Sequence, residues 1–267
     1  MNRGLLVGIN AYPLFPLKGC VNDVTDLFNF VVDNCGFSKS DIRLLKDAKA
    51  TKDAIVKGLG RLLNGLRAGD RILFHYSGHG VLMPQFNRLR EVIRVHHAIC
   101  PVDFNWRAAH AITDTDFKGM FGSVPEGVEF VWVSDSCFSG KLIKGMLPSN
   151  ARPKSIPPPA DIEWTLQVAR EKGILPMGFK GAVTNLNVAL MAACKDYQWS
   201  SDATFDDRPN GAFTFFLIRE LGAFGGLKEP LAKITSTVCA ALAKAGYKQV
   251  PQLKGAASIK ARGFLAL

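Results

Sequence analysis

Two stretches decide the fold: Arg71-Ile-Leu-Phe-His-Tyr-Ser-Gly-His-Gly80 and Val128-Glu-Phe-Val-Trp-Val-Ser-Asp-Ser-Cys-Phe-Ser-Gly140. Each runs from β-branched and aromatic residues into a turn rich in Gly and Ser. That is the pattern of a buried strand ending at a loop. In a parallel sheet, ligands sit beyond the carboxyl ends of the strands. If these two strands are neighbours, His79 and Cys137 project into one crevice.

Working outward, apolar runs alternate with helical spacing. Strands are expected over residues 5–9, 42–45, 71–76, 98–103, 128–133 and 189–193. Val24, Leu27, Phe28, Val31, Val32 and Cys35 recur as one helical face, with Gly36 as its stop. Thr51 and Thr113 suit helix N-caps, the second for a helix through Phe121. Further helices are expected over 162–172, over 211–224 with Asn210 as cap, and over 229–245. Between 147 and 160 lie five of the 14 prolines, which predicts a long loop. This alternation predicts a three-layer α/β/α sandwich around a central mixed, mostly parallel sheet.

The chain has 267 residues, 48% hydrophobic and 21% charged, which excludes a disordered chain. Its net charge of +10 first suggests an acidic partner. However, no run of five or six like charges occurs, and residues 71–137 carry 6 basic against 7 acidic side chains. No nucleic-acid partner is expected from that distribution. The apolar runs are too short to span a bilayer and no cleavage site follows the first of them, so no membrane partner and a cytoplasmic location are expected. The six cysteines form no C-x-x-C pair and fit no zinc spacing.

A thiol and an imidazole in adjacent strand-end turns are the parts of a nucleophilic dyad. The imidazole favours the thiolate, then protonates the leaving amine. The backbone amides of Gly80 and Cys137 are candidates for an oxyanion hole. His75, inside its strand, reads as a packing residue. His96, His97 and His110 offer no metal spacing.

The joint pattern resembles the metacaspases, within the caspase-like cysteine peptidases (clan CD, family C14), in the form of their bacterial-type relatives. The His79-to-Cys137 separation of 58 residues is near that of caspases. Asp135–Gly140 resembles the D-x-C-x-S-G form rather than the caspase Q-A-C-x-G. Leu17-Lys-Gly-Cys-Val-Asn-Asp23, Cys100-Pro-Val-Asp103, Ile112-Thr-Asp-Thr-Asp116, Ala193-Cys-Lys-Asp-Tyr-Gln198 and Asn210-Gly-Ala-Phe-Thr214 extend the likeness along the chain. The resemblance implies a caspase-like fold and one peptidase domain over 1–267. Within it, 1–146 and 181–267 are the large- and small-subunit-like halves, joined by a Pro-rich region at 147–180.

It also implies a cysteine endopeptidase with Cys137 as nucleophile, His79 as general acid/base, and Gly80 and Cys137 amides at the oxyanion. Protein or peptide substrates with Arg or Lys before the scissile bond would be held by Asp23 and Asp135, with Cys20 and Ser77 lining the pocket. A carboxylate pair is poised for a cation. The bland readings are a helix-start acid for Asp23 and a turn residue for Asp135. Many metacaspases need calcium, but their acidic stretch is replaced here by residues 85–94, with three arginines and one acid, and Lys144 stands where an acid is common. Asp114 and Asp116 alone are too few oxygens, so no cofactor or metal is expected. Lys141, Lys144, Arg152 and Lys154 offer basic sites for self-cleavage in an exposed loop. By analogy the chain is a monomer. The alternative is a caspase-fold interaction module without peptidase activity.

Overall fold

In the computed structural model, residues 1–138, 147, 148, 150–174, 176, 178–223 and 225–265 are described, Lys180 by its backbone alone. In chain order the elements begin β1 (Asn2–Gly8), α1 (Cys20–Asn34), β2 (Ile42–Lys46), α2 (Lys52–Leu63), β3 (Arg71–Ser77), β4 (Gly80–Phe86) and β5 (Val92–Ile99). They continue with β6 (Ile112–Thr113), α3 (Asp114–Phe121), β7 (Glu129–Asp135), β8 (Arg152–Pro153), α4 (Ala160–Glu171), α5 (Gly178–Ala182) and β9 (Ala189–Ala192). Last come β10 (Ser201–Phe205), β11 (Arg208–Gly211), α6 (Ala212–Gly222), α7 (Leu231–Lys244), β12 (Gln252–Lys254) and α8 (Ala257–Lys260).

The central sheet has the order β12-β9-β7-β3-β1-β2. Its strands run parallel except the edge strand β12. Alternate side chains go to opposite faces, as the pleat requires. Leu5, Val7, Ile72, Phe74, Phe130 and Trp132 join one core, with Leu59 of α2 and Phe117 of α3. Leu6, Leu73, Val131 and Val133 join the other, with Leu27 of α1, Phe213 of α6 and Val238 of α7. Helices therefore cover both faces, which is the expected sandwich. Thr51 caps α2 through Ala54 N, and Thr113 caps α3 with Asp116 completing a capping box.

Three of the expected features differ in the structure. The strand expected at 98–103 is instead β5, which pairs antiparallel with β4. Its polar His96 and His97 are buried because Asp114 on α3 accepts from His96 Nδ1 (2.8 Å) and His97 N (3.2 Å), partners that periodicity does not reveal. Asn210 lies within β11 and does not cap α6; its amide donates to Asp23 and Asp26, and Gly211 takes the cap position. The Pro-rich stretch contains β8, a two-residue edge strand paired with β10. Proline is tolerated at such an edge because no ladder N–H is required of it. Among the described residues, no helix is long and apolar enough to cross a membrane.

Candidate active site

The parallel register of β3 and β7 brings Ser77 opposite Asp135, and that of β1 and β3 brings Gly8 opposite Ser77. The first turn of α1, which starts just beyond β1, adds Cys20 and Asp23. All four predicted pocket residues converge at the carboxyl end of the sheet, each fully buried. Asp23 Oδ2 accepts from Ser77 Oγ (2.7 Å), and Oδ1 from Gly211 N (2.8 Å) and Asn210 Nδ2 (3.1 Å). Asp135 Oδ1 accepts from Ser200 Oγ (2.5 Å), and Oδ2 from Thr214 Oγ1 (2.7 Å) and N (3.1 Å). Asp23 thus does more than stabilise a helix start, and Asp135 more than form a turn.

The cation between the two carboxylates belongs to the chain itself. Lys154, expected in an exposed loop, is fully buried. Its Nζ lies 3.0 Å from Asp23 Oδ2, 3.2 Å from Asp135 Oδ1 and 2.8 Å from Ser77 Oγ. Burial alone would lower the Lys154 pKa, but Asp135 and Asp23 hold it well above the usual lysine range. Burial raises the Asp23 pKa to about 6 against the pull of Lys154, whereas Asp135 is lowered because Lys154, Ser200 and Thr214 together outweigh its burial. Burial raises the Cys20 thiol, with Lys154 opposing. Gly211 closes the wall: a Cβ there would collide with Lys154 Nζ and both carboxylates.

The backbone of the same lysine fits as closely. Its carbonyl oxygen accepts from Gly80 N (3.0 Å) and Cys137 N (3.3 Å), the two amides paired in the sequence. Its N–H donates to Ser200 O (3.1 Å), and the preceding two residues form β8 against β10. Gly80 permits this approach, since a Cβ would stand 2.6 Å from Cys137 O and 2.5 Å from the Phe138 ring.

His79 and Cys137 are buried beneath this segment, 1% and 0% exposed. His79 Nε2 lies 2.6 Å from the Phe15 carbonyl oxygen. A carbonyl only accepts, so Nε2 carries the proton and Nδ1 keeps its lone pair. Nδ1 is buried without a hydrogen-bond partner among the described residues. Phe15 holds its carbonyl there from a left-handed backbone (φ 60°). Burial lowers the His79 pKa to about 4, partly opposed by the Phe15 and Lys154 carbonyls, and raises Cys137 to about 12. In this arrangement the thiol and the imidazole are both neutral. An apolar cavity of about 530 Å³ lies alongside, lined by Phe15, Pro16, Leu17, His79, Pro153 and Pro157 among others.

A family model described as "Metacaspase, peptidase C14 domain" matches residues 2–145. The chain belongs to the metacaspase family. Metacaspase-7 of Arabidopsis thaliana is 38% identical over 148 residues, covering 53% of this chain and 35% of that protein. Metacaspase-9 of the same plant is 38% identical over 148 residues, covering 52% and 43%. The chain thus spans less than half the length of these relatives. Metacaspase-1 of Scheffersomyces stipitis is 27% identical over a 292-residue alignment covering 94% of this chain and 70% of that protein. The fold is shared with protein GSU0716 from Geobacter sulfurreducens (TM-score 0.73, 22% identity, 100% and 98% of the two chains). It is also shared with Caspase-1 from Spodoptera frugiperda (TM-score 0.60, 13% identity, 95% and 86%).

In this metacaspase Asp114 and Asp116, the two acids weighed for calcium in the sequence, both have partners within the fold. Asp114 is committed to His96, His97 N and Gly178 N, and Asp116 to Thr113. Residues 85–94 supply arginines instead. Among the described residues, no group of three or more His, Cys, Asp or Glu side chains is arranged to hold a metal. His75 is buried as expected, 3.4 Å from Thr214 Oγ1, and burial lowers its pKa to about 3. Lys141, Lys144 and the end of the cysteine motif, Ser139-Gly140, lie outside the described residues. Ser200, Thr214, Asn210 and the Phe15 carbonyl escaped the sequence reading. In the sequence Asn210 reads as a helix cap, Ser200 and Thr214 carry no assigned role, and the Phe15 carbonyl is a backbone atom with no residue signature.

Proposed function

We propose that this metacaspase is a cysteine endopeptidase that cleaves after Lys or Arg through Cys137 and His79, and that its own Lys154–Ser155 bond is the first one cut. One observation carries the reading: Lys154 puts its ammonium between Asp23 and Asp135 while its carbonyl accepts from both Gly80 N and Cys137 N. A basic residue with both ends satisfied in this way has the pose of a residue preceding a scissile bond. In the reaction, His79 Nδ1 takes the Cys137 proton and the thiolate attacks the carbonyl carbon. The two amides hold the oxyanion. His79 then protonates the departing Ser155 amine, leaving a thioester on Cys137 that water hydrolyses. The seated segment also excludes other substrates, and the neutral thiol under it is a weak nucleophile. Displacing the segment admits water, weakens the burial effect on both groups and primes the pair. The uncommitted donors needed for calcium are missing from residues 85–94, Asp114 and Asp116, so the activity is proposed to be calcium-independent.

The test is mass spectrometry of purified protein beside Cys137→Ala, with a peptide library. The expected results are a new amino terminus at Ser155 in wild type only, and cleavage after Lys and Arg but not Asp. A chain that stays whole and cuts no peptide favours the interaction module instead. Turnover by Cys137→Ala removes the mechanism, and strong activation by added calcium removes the calcium-independent reading.

A further inference from the structure

The buried thiols are not evenly spread about the site. Cys100 also borders the site, its N–H on the His79 carbonyl (3.0 Å) and its thiol within electrostatic reach of Cys137, but it packs in the large core, and Cys35 donates toward the Phe264 carbonyl on the far side. Cys194 is different. Ser134 pairs with Ala192, and Ala193 N donates to Ser134 O (2.9 Å), so Cys194 follows the end of β9 next to the end of β7. Its Sγ lies 3.8 Å from the Ser136 carbonyl and 3.4 Å from that of Gln198. Cys137, Cys194 and Trp199 pack as one small buried cluster, bordered by Leu147. Neighbouring strands stand about 4.8 Å apart, and a disulfide spans Cα separations of roughly 4.4–6.8 Å.

We propose that Cys194 is a resolving thiol for Cys137: when the opened site meets a peroxide, the two form a reversible disulfide that stops the enzyme and spares its nucleophile from irreversible oxidation. The proposal rests on the reading of Cys137 as an activated nucleophile. Cys137 Sγ attacks one peroxide oxygen, the O–O bond breaks, and the leaving hydroxide departs as water with the thiol proton. Cys194 Sγ then attacks the sulfenic sulfur, the S–O bond breaks, and a second water carries away the Cys194 proton. Two electrons pass from the two thiols to the peroxide, so no further reductant or oxidant is needed. While Lys154 is seated, Cys137 is sealed and protonated, and the couple is protected.

Protein with Cys194 and protein with Cys194→Ser, each with and without Lys154→Ala to unseat the segment, are treated with hydrogen peroxide, alkylated and mapped by mass spectrometry without reduction. The expected product is a peptide pair joined through Cys137 and Cys194, accumulating about tenfold faster with Lys154→Ala than without it. Dithiothreitol should restore turnover of a Lys peptide in the protein that keeps Cys194. In Cys194→Ser, Cys137 should advance to sulfinic acid and stay inactive. Absence of the joined pair with and without Lys154→Ala, or Cys137 joined instead to Cys20 or Cys100, overturns the proposal. The link is read by mass, so it is decided even if the protein cuts no peptide.

Discussion

Asp135 has Ser200, Thr214 and Lys154 all directed at its two oxygens. Removing one partner of a buried ion pair typically costs about 3–5 kcal/mol. Asp135→Asn should therefore lower kcat/KM for Lys and Arg peptides by roughly 10²- to 10⁴-fold. Alkylation of Cys137 by a small neutral reagent should be far less affected, and a matching loss there would mean the variant is misfolded. Cys137→Ala should abolish cleavage, whereas Cys35→Ala and Cys239→Ala should leave it near wild type. Cys35 lies against Phe264 and Cys239 against Pro251, both away from the pocket. Gly80→Ala should cost about 10²-fold or more in kcat, because the new methyl would push Phe138 and Cys137 out of the geometry that holds the carbonyl.

At the scale of elements, the site is a product of register. β3 and β7 bring Ser77 and Asp135 abreast, and both strands were legible as apolar runs ending in Gly and Ser. That His79, Cys137 and the two amides come together could be read for the same reason, because each lies at or just beyond a strand end. What could not be read was β8. Arg152 and Pro153 carry no alternation, and their strand exists only because β10 offers them an edge. β10 and β11 were hidden too, since Ser200, Asp202 and Asn210 look like loop residues until their partners at Asp135, Gly19 and Asp23 are known. The lysine was noticed as a basic residue in a loop but not as the pocket's occupant, a tertiary fact with no local signature. Lys154→Ala separates two effects that this element combines. Time-resolved mass spectrometry should find the Lys154–Ser155 bond uncut, while turnover of an added Lys peptide should begin at once. An unchanged onset would mean that the segment is no barrier.

For the molecule as a whole, the +10 balance pointed first to acidic partners, yet the fully buried Lys154 faces inward onto two aspartates. Burial also makes the folded form sensitive to acid. His79 and His75 titrate near 4 and 3 when folded, below the ordinary 6.5, so the unfolded chain binds more protons across that window. The two histidines therefore make stability rise with pH through the window, each accounting for a loss of about 3 kcal/mol on acidification from 6.5 toward 4. Asp23, raised to about 6, acts in the opposite direction and offsets most of one of them, so the net is still a decline. Thermal melting of Cys137→Ala between pH 7 and 4 should show that decline, and a flat Tm would contradict it. A final consequence concerns kinetic order. Lys154 is tethered on both sides, so its effective concentration at its own pocket is in the millimolar range typical of short linkers. A free peptide must compete with it, and the first cut needs no second molecule. Progress curves of fresh protein should thus show a lag whose length does not shorten as enzyme is added. A lag that shrinks in proportion to protein concentration would mean that one copy opens another.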